Sequence, residues 1–390
     1  MLLRNVTLWD GCGSDYSSDY DAIRILPEGT LQCTTSDDRI GNEPTKDLAG
    51  AYVIPGLIDA HIHLCLDPEE PDPFAHGKVP EAIQLKAMAL RAKKMVEAGI
   101  TAARDLGGGQ WLELKIRDAI LAGEIPGPRL ICAGQPITSP GGHCHFWGGE
   151  AEDTAAAMAV IARQAEAGVD LIKVMATGGN ITPGSKPMDA QFDGAVMQSI
   201  VNEANRLGYS VAAHCHGTDG IRHAAHAGVT TIEHCSWVGP NGWGKHFDLD
   251  LAKDIARAGI WISPTVNAGW GRHLTNENYM AAMNTRYQTM KASGCQFIAS
   301  TDAGIPNVFH EDLPKALAVY QAVAAFSIVE TLRSATSDCA LALGLESVTG
   351  RVKDGLSADL MILPESPLSD LRALQKPLEI YARGTAVLSS

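Results

Sequence analysis

Six times the sequence runs a helical stretch into a single glycine and then straight into an apolar or β-branched run. The junctions are VEAG-ITAARDL at Gly99, AEAG-VDLIKVMA at Gly168, NRLG-YSVAAHC at Gly208, AHAG-VTTIEHC at Gly228, ARAG-IWISPT at Gly259 and KASG-CQFIASTD at Gly294. A glycine in the left-handed position just past a helix ends it and turns the chain directly into the next strand. The helical stretches keep apolar residues on one face, as with Leu85, Met88, Ala92 and Met95, or Val196, Ile200, Ala204 and Leu207. Asp193 is placed to cap the second of these. Alternating strands and helices require right-handed βαβ crossovers and a parallel sheet. Adding VIPGLIDAHIHL at 53–64 and PRLICAG at 128–134 gives eight strands. Eight strands close a (β/α)8 barrel, although an open doubly wound sheet also satisfies the count.

The ends of the chain read differently. Residues 1–54 and 351–390 are short strand-like pieces broken by Gly, Asp and Ser, without a helical pattern, and are expected to pair into one small β domain. Residues 55–350 then form the α/β body. A net charge of −14 argues against nucleic acid or an anionic membrane as partner and favours a small-molecule substrate. The nine cysteines show no CxxC or regular spacing and read as reduced thiols of a cytoplasmic protein. The start, MLLRNVTLWDG, has no signal-peptide h-region, and no run of about 18 apolar residues occurs. Assembly into a homo-oligomer is left open.

The reactive groups of a parallel α/β fold lie at the C-terminal ends of its strands, and the unusual residues of this chain fall there. His61 and His63 end the first strand, two apart and so on one face, a placement that suits a divalent metal taking nitrogen and oxygen ligands. Lys173 stands inside the apolar run DLIKVMA, where a lysine is rare unless paired, or unless it reacts with carbon dioxide to give an anionic carbamate. His214, with His216 two further on, ends the fifth strand, His234 the sixth and Asp302 the eighth.

The series VIPGLIDAHIHL, GITAARDLGG, DLIKVMATGG, VAAHCHG, TIEHC, STDAG and GRVKDGLSADLMIL resembles the metal-dependent amidohydrolase superfamily over essentially the whole chain. The resemblance implies a TIM-type (β/α)8 barrel with a small β-sandwich domain built from both termini. It implies that His61, His63 and Asp302 hold one divalent ion and His214 and His234 a second, with carboxylated Lys173 and a hydroxide bridging two ions, zinc being the expected metal. One-metal members of the superfamily generally lack the bridging lysine, and many place a glutamate shortly after the fifth-strand histidine; here Lys173 is present and residues 214–217 read His-Cys-His-Gly. The implied reaction is attack of the bridging hydroxide on an amide carbonyl, with Asp302 as general base and then acid.

Within the superfamily, GITAARDLGG, the GGH run, KVMATGG and IEHC are most similar to the branch that cleaves Xaa-Pro dipeptides, C-terminal residues or N-acyl amino acids. In the loop ITSPGGHCHFWGG, His143 matches the family's loop histidine, and His145 is a second substrate-side candidate. Arg272, after the seventh strand, could read a carboxylate, and ATGGNITPGSKPMDAQ after the fourth is a candidate lid. Arg104 and Asp105 are expected to support the site from beneath, and DPEEPDPFAH to be a solvated face. The alternatives are hydrolysis of a cyclic amide, carbamate or lactone on the same site, or a non-catalytic binding protein on this scaffold.

Overall fold

In the computed structural model, which describes residues 1–38 and 40–389, eight parallel strands each lead into a helix. The strands are β1 (Leu57–Ile62), β2 (Ile100–Asp105), β3 (Arg129–Cys132), β4 (Leu171–Met175), β5 (Ser210–Gly217), β6 (Thr231–Val238), β7 (Trp261–Ser263) and β8 (Gln296–Phe297). The helices that follow them in turn are α1 (Glu81–Glu97), α2 (Leu112–Leu121), α3 (Thr154–Ala167), α4 (Gly194–Arg206), α5 (Thr218–Ala227), α6 (Leu249–Arg257), α7 (Glu277–Ala292) and α8 (Leu313–Ala324). Parallel ladders join β1 to β3 and β4 to β8. Two seams close the ring. Asp170 N donates to Cys132 O at 2.8 Å and Met175 N to Ile137 O at 2.8 Å, while Ala60 N donates to Ala299 O at 3.1 Å and Asp302 N to His61 O at 2.8 Å. The barrel, rather than the open sheet, is the result.

All six junction glycines have positive φ, from 68° at Gly259 to 93° at Gly294. Gly99 shows a second reason for the residue: a Cβ there would lie 2.6 Å from Met361 Cε. Asp193 caps α4, accepting from Ala195 N and Val196 N at 2.9 Å. The apolar face of α4 is rotated from the expected one: Met197, Ile200, Val201 and Ala204 are buried, Val196 only half so, and Leu207 is exposed. Both stripes share Ile200 and Ala204, so the helical period alone did not separate them.

The ends of the chain form two further sheets, one from the N-terminal segment alone and one from both ends. One orders Leu31–Thr34, Ala22–Ile25, Leu2–Arg4 and Thr45–Asp47; the other orders Thr385–Ser389, Glu379–Ala382, Leu360–Leu363, Tyr52–Pro55 and Thr7–Leu8. Strand alternation sends side chains of the second sheet into two cores. Val53, Leu360 and Ile362 meet Leu3, Ile23 and Leu31 of the first sheet, whereas Ile54, Met361, Leu363 and Ile380 join the barrel's core. All nine cysteines are free, and among the described residues no helix is long and apolar enough to cross a membrane.

Candidate metal centre

At the C-terminal mouth of the barrel two side-chain groups gather, His61–His63–Asp302 and His214–His216–His234, each with one ligand atom per residue and all within 4.8 Å of one another. The first group is a set of acceptors. His61 Nδ1 contacts Glu233 Oε2 at 2.9 Å and His63 Nδ1 contacts Gly107 O at 2.8 Å. Both partners are acceptors, so each ring's proton sits on Nδ1 and each Nε2 carries a lone pair. Those two Nε2 atoms are 3.3 Å apart and lie 3.3 and 3.4 Å from Asp302 Oδ1. Three acceptors turned on one point, with no donor between them, fit a cation. In the second group His214 Nε2 faces Gly178 O at 3.1 Å, which turns its Nδ1 lone pair toward His234 Nε2 at 2.9 Å. His234 Nδ1 is fixed by Thr265 Oγ1 at 2.8 Å and His216 Nδ1 by Ser236 Oγ at 2.9 Å. Holding the outer nitrogen and freeing the inner one is how protein scaffolds present imidazole ligands.

Lys173 Nζ is buried without a hydrogen-bond partner among the described residues. Burial lowers its ammonium to a pKa of about 8, against the pull of Glu233 and Asp302. Burial would raise the Asp302 carboxyl, but His61, His63 and Lys173 hold it well below the usual carboxylate range. Burial also lowers His61, to about 4, which keeps that ring neutral. The residues present therefore fit divalent ions: imidazoles that turn lone pairs inward, a charged carboxylate and an amine able to shed its proton.

The backbone is strained where these ligands sit. His234 and Asp302 adopt φ of 66° and 62°, and Thr265, which holds His234, adopts 54°. Each left-handed residue without glycine's freedom costs about 1–3 kcal/mol. Beneath the ligands, Arg104 Nη2 donates to Glu233 Oε1 at 2.7 Å and its Nε to Ala60 O at 2.7 Å, so a buried ion pair braces β1 against β6 through β2. Asp105 accepts from Leu64 N at 2.8 Å and Gly107 N at 2.9 Å, which fixes the chain on either side of the His63 contact. Both supporting roles had been expected; that of Glu233, between His61 and Arg104, had not.

Above the ligands opens a cavity of about 1010 Å³, lined among others by His143, Trp147, Lys245, Arg272, Tyr279 and Arg286. His143 stands with its ring 4.6 Å from that of His214, and its Nδ1 has no partner among the described residues. His145 lies elsewhere: it packs near Phe74 and Phe146 and is absent from the cavity wall, where Trp147 stands instead. The 3-10 turn His145–Trp147 separates the two sides, a register that the loop's sequence did not disclose. The loop after β4 locks onto the His143 loop, for Gln191 Oε1 accepts from His143 N at 2.6 Å and Thr182 Oγ1 from Cys144 N at 2.8 Å. The acidic loop after β1 helps line a second cavity of about 490 Å³, which shares Asn180, Ile181, Ile305 and Pro306 with the first.

Fold and site together define a (β/α)8 barrel with one histidine–carboxylate cluster and one all-histidine cluster at its strand C-termini. The model of the Amidohydrolase family matches residues 52–384, and the chain belongs to that family. It is a hydrolase acting on amide bonds. Ochratoxinase of Aspergillus niger is 26% identical over 385 residues, covering 90% of this chain and 76% of that protein. A Xaa-Pro dipeptidase with bound methionine in the active site superposes with a TM-score of 0.83 at 23% identity, covering 99% of this chain and 98% of the other. The structure of the A. niger ochratoxinase gives a TM-score of 0.82 at 21% identity, covering 100% and 95%.

Proposed function

We propose that this chain is a binuclear hydrolase that cleaves the amide bond of a dipeptide or an N-acyl amino acid. His61, His63 and Asp302 would hold one divalent ion, His214 and His234 a second, and Lys173 would join the two as its carbamate. Zinc suits the nitrogen and oxygen donor set. The observation that carries the reading is Lys173: an amine buried at the site without a partner, with its pKa lowered by burial to about 8, is available as the neutral nucleophile that takes up carbon dioxide. The carbamate would satisfy the position with an anionic oxygen donor. The names of the relatives, an ochratoxinase and a Xaa-Pro dipeptidase, agree with amide cleavage.

When bound, the ions supply water activation near neutral pH and polarisation of the carbonyl. The rest is done by the chain. Asp302, charged because its neighbours hold its pKa down, accepts the proton of the attacking water and passes it to the leaving nitrogen. His143, at the cavity wall, orients the substrate with its ring. Trp147 lies against His63, its ring 5.2 Å away, and keeps water from the outer side of the cluster.

Elemental analysis of protein prepared with bicarbonate, run beside hydrolysis of a dipeptide and N-acyl amino acid library, tests this. Two metals per chain with turnover are expected, and Lys173→Ala is expected to fall to one metal or fewer. One metal in the parent protein, or two metals retained by Lys173→Ala, would overturn the bridged centre.

A further inference from the structure

The cavity above the ligands carries charge that its own residues leave unbalanced. Lys245 on the loop after β6, Arg272 on the turn after β7 and Arg286 on α7 all line it, and among the described residues none of the three forms an ion pair. Asp302, at the floor, is the sole carboxylate of the lining among the described residues. The chain has 45 acidic against 31 basic residues, so carboxylates were available to neutralise this wall and are not placed there.

All three cations line the same cavity. The guanidinium of Arg286 lies against Gly244, the residue before Lys245 in the chain, where a Cβ would collide with it. Arg272 Nε donates to His273 Nε2 at 3.0 Å, and the His273 ring stacks on Tyr279 at 4.5 Å. Both arginines act on the Tyr279 phenol: burial raises it, and Arg286 and Arg272 pull it back. The loop that carries Lys245 also reaches the second histidine cluster, for the Trp243 ring lies 4.9 Å from that of His216. A cleft lined by one sign of charge concentrates the opposite sign.

A dipeptide or N-acyl amino acid brings one carboxylate, which satisfies one guanidinium and leaves two cations unmatched. We infer that the cavity selects substrates with two carboxylates on the leaving side, N-acyl or aminoacyl derivatives of glutamate or aspartate, held by Arg286, Arg272 and Lys245. This specificity rests on the amide-hydrolase reading above. Planar guanidinium groups favour it, because each can take a carboxylate in two parallel hydrogen bonds.

The test pairs binding with turnover. Calorimetry with L-glutamate and L-glutamine on the metal-loaded protein should show glutamate bound at least about tenfold more tightly, the size expected of one charge-assisted contact. The preference should shrink with added salt and collapse in Arg286→Met and in Arg272→Met. Equal binding of the two amino acids by the parent protein would overturn the inference whether or not any amide is cut. In parallel, N-acetylglutamate should be hydrolysed with at least about tenfold higher kcat/KM than N-acetylglutamine. Tight glutamate binding without cleavage of any acyl or aminoacyl glutamate would uphold the dicarboxylate site and overturn the dipeptide or N-acyl amino acid substrate proposed above instead. Cleavage that favours the neutral substrates would uphold the hydrolase and remove its dicarboxylate specificity.

Discussion

His61 and His63 meet Asp302 as three acceptors because their outer nitrogens are committed, one to Glu233 and one to Gly107. The arrangement separates what each residue is needed for. Asp302→Asn keeps size and an acceptor oxygen but cannot take up a proton, so turnover should fall by about 10²–10⁴ while metal content changes little; steady-state kinetics with elemental analysis on the same sample checks both, and full activity would remove Asp302 from proton transfer. Arg104→Met leaves Glu233 charged and wholly buried without its countercharge, its remaining contacts being His61 and Thr231, and should cost about 3–5 kcal/mol in urea unfolding. A loss under about 1 kcal/mol would mean that the pair is not the brace described. The clustering of these histidines was legible because strand ends and a two-residue spacing announce it. Glu233 was not, since a glutamate next to a histidine in TIEHC carries no sign of which strand it will reach. The same holds for His216, which stacks on His234 with ring centroids 4.4 Å apart: its address is in the sequence, its neighbour is not.

At the level of elements, the helix-to-strand glycines specified the order of the barrel, and the caps agree with it. Replacing Asp193 with alanine removes two acceptor contacts at the start of α4 and should cost about 1 kcal/mol, read as a lowered midpoint in urea. An unchanged midpoint would show that packing of Met197 and Val201 alone fixes that helix. Loops were far less legible than helices. The stretch after β7 reads as one long loop from Asn267 to Asn278, yet it folds into a 3-10 turn at Ala268–His273 and is already helical at Glu277. Such short turns are set by local hydrogen bonds, here Asn267 Oδ1 accepting from Gly269 N at 3.1 Å, and not by apolar periodicity. Arg286 and Tyr279 escaped notice for the related reason that α7 has no clean apolar stripe; only Met283, Tyr287 and Met290 are buried along it.

Over the whole molecule, the proposed ions would tie the stability of the barrel to the buried acceptor clusters. With nothing between them, the lone pairs of His61 and His63 and the charge of Asp302 repel, so chelation should lower the thermal midpoint by several degrees and zinc should restore it. Bound at a hundred times its dissociation constant, a ligand contributes about 2.7 kcal/mol. A midpoint indifferent to chelator, measured by calorimetry, would argue against ions at both clusters. The two-faced sheet carries a further consequence, which concerns synthesis. Tyr52–Pro55 lies between Thr7–Leu8 and Leu360–Leu363, so one of its edges has no partner until nearly all the chain has left the ribosome. Until then Val53 and Ile54 stand on an open strand edge, the kind of surface that invites pairing with other chains. Slow elongation prolongs that exposure, and truncation before Leu360 would leave the edge unpaired and the barrel core without Met361, Leu363 and Ile380.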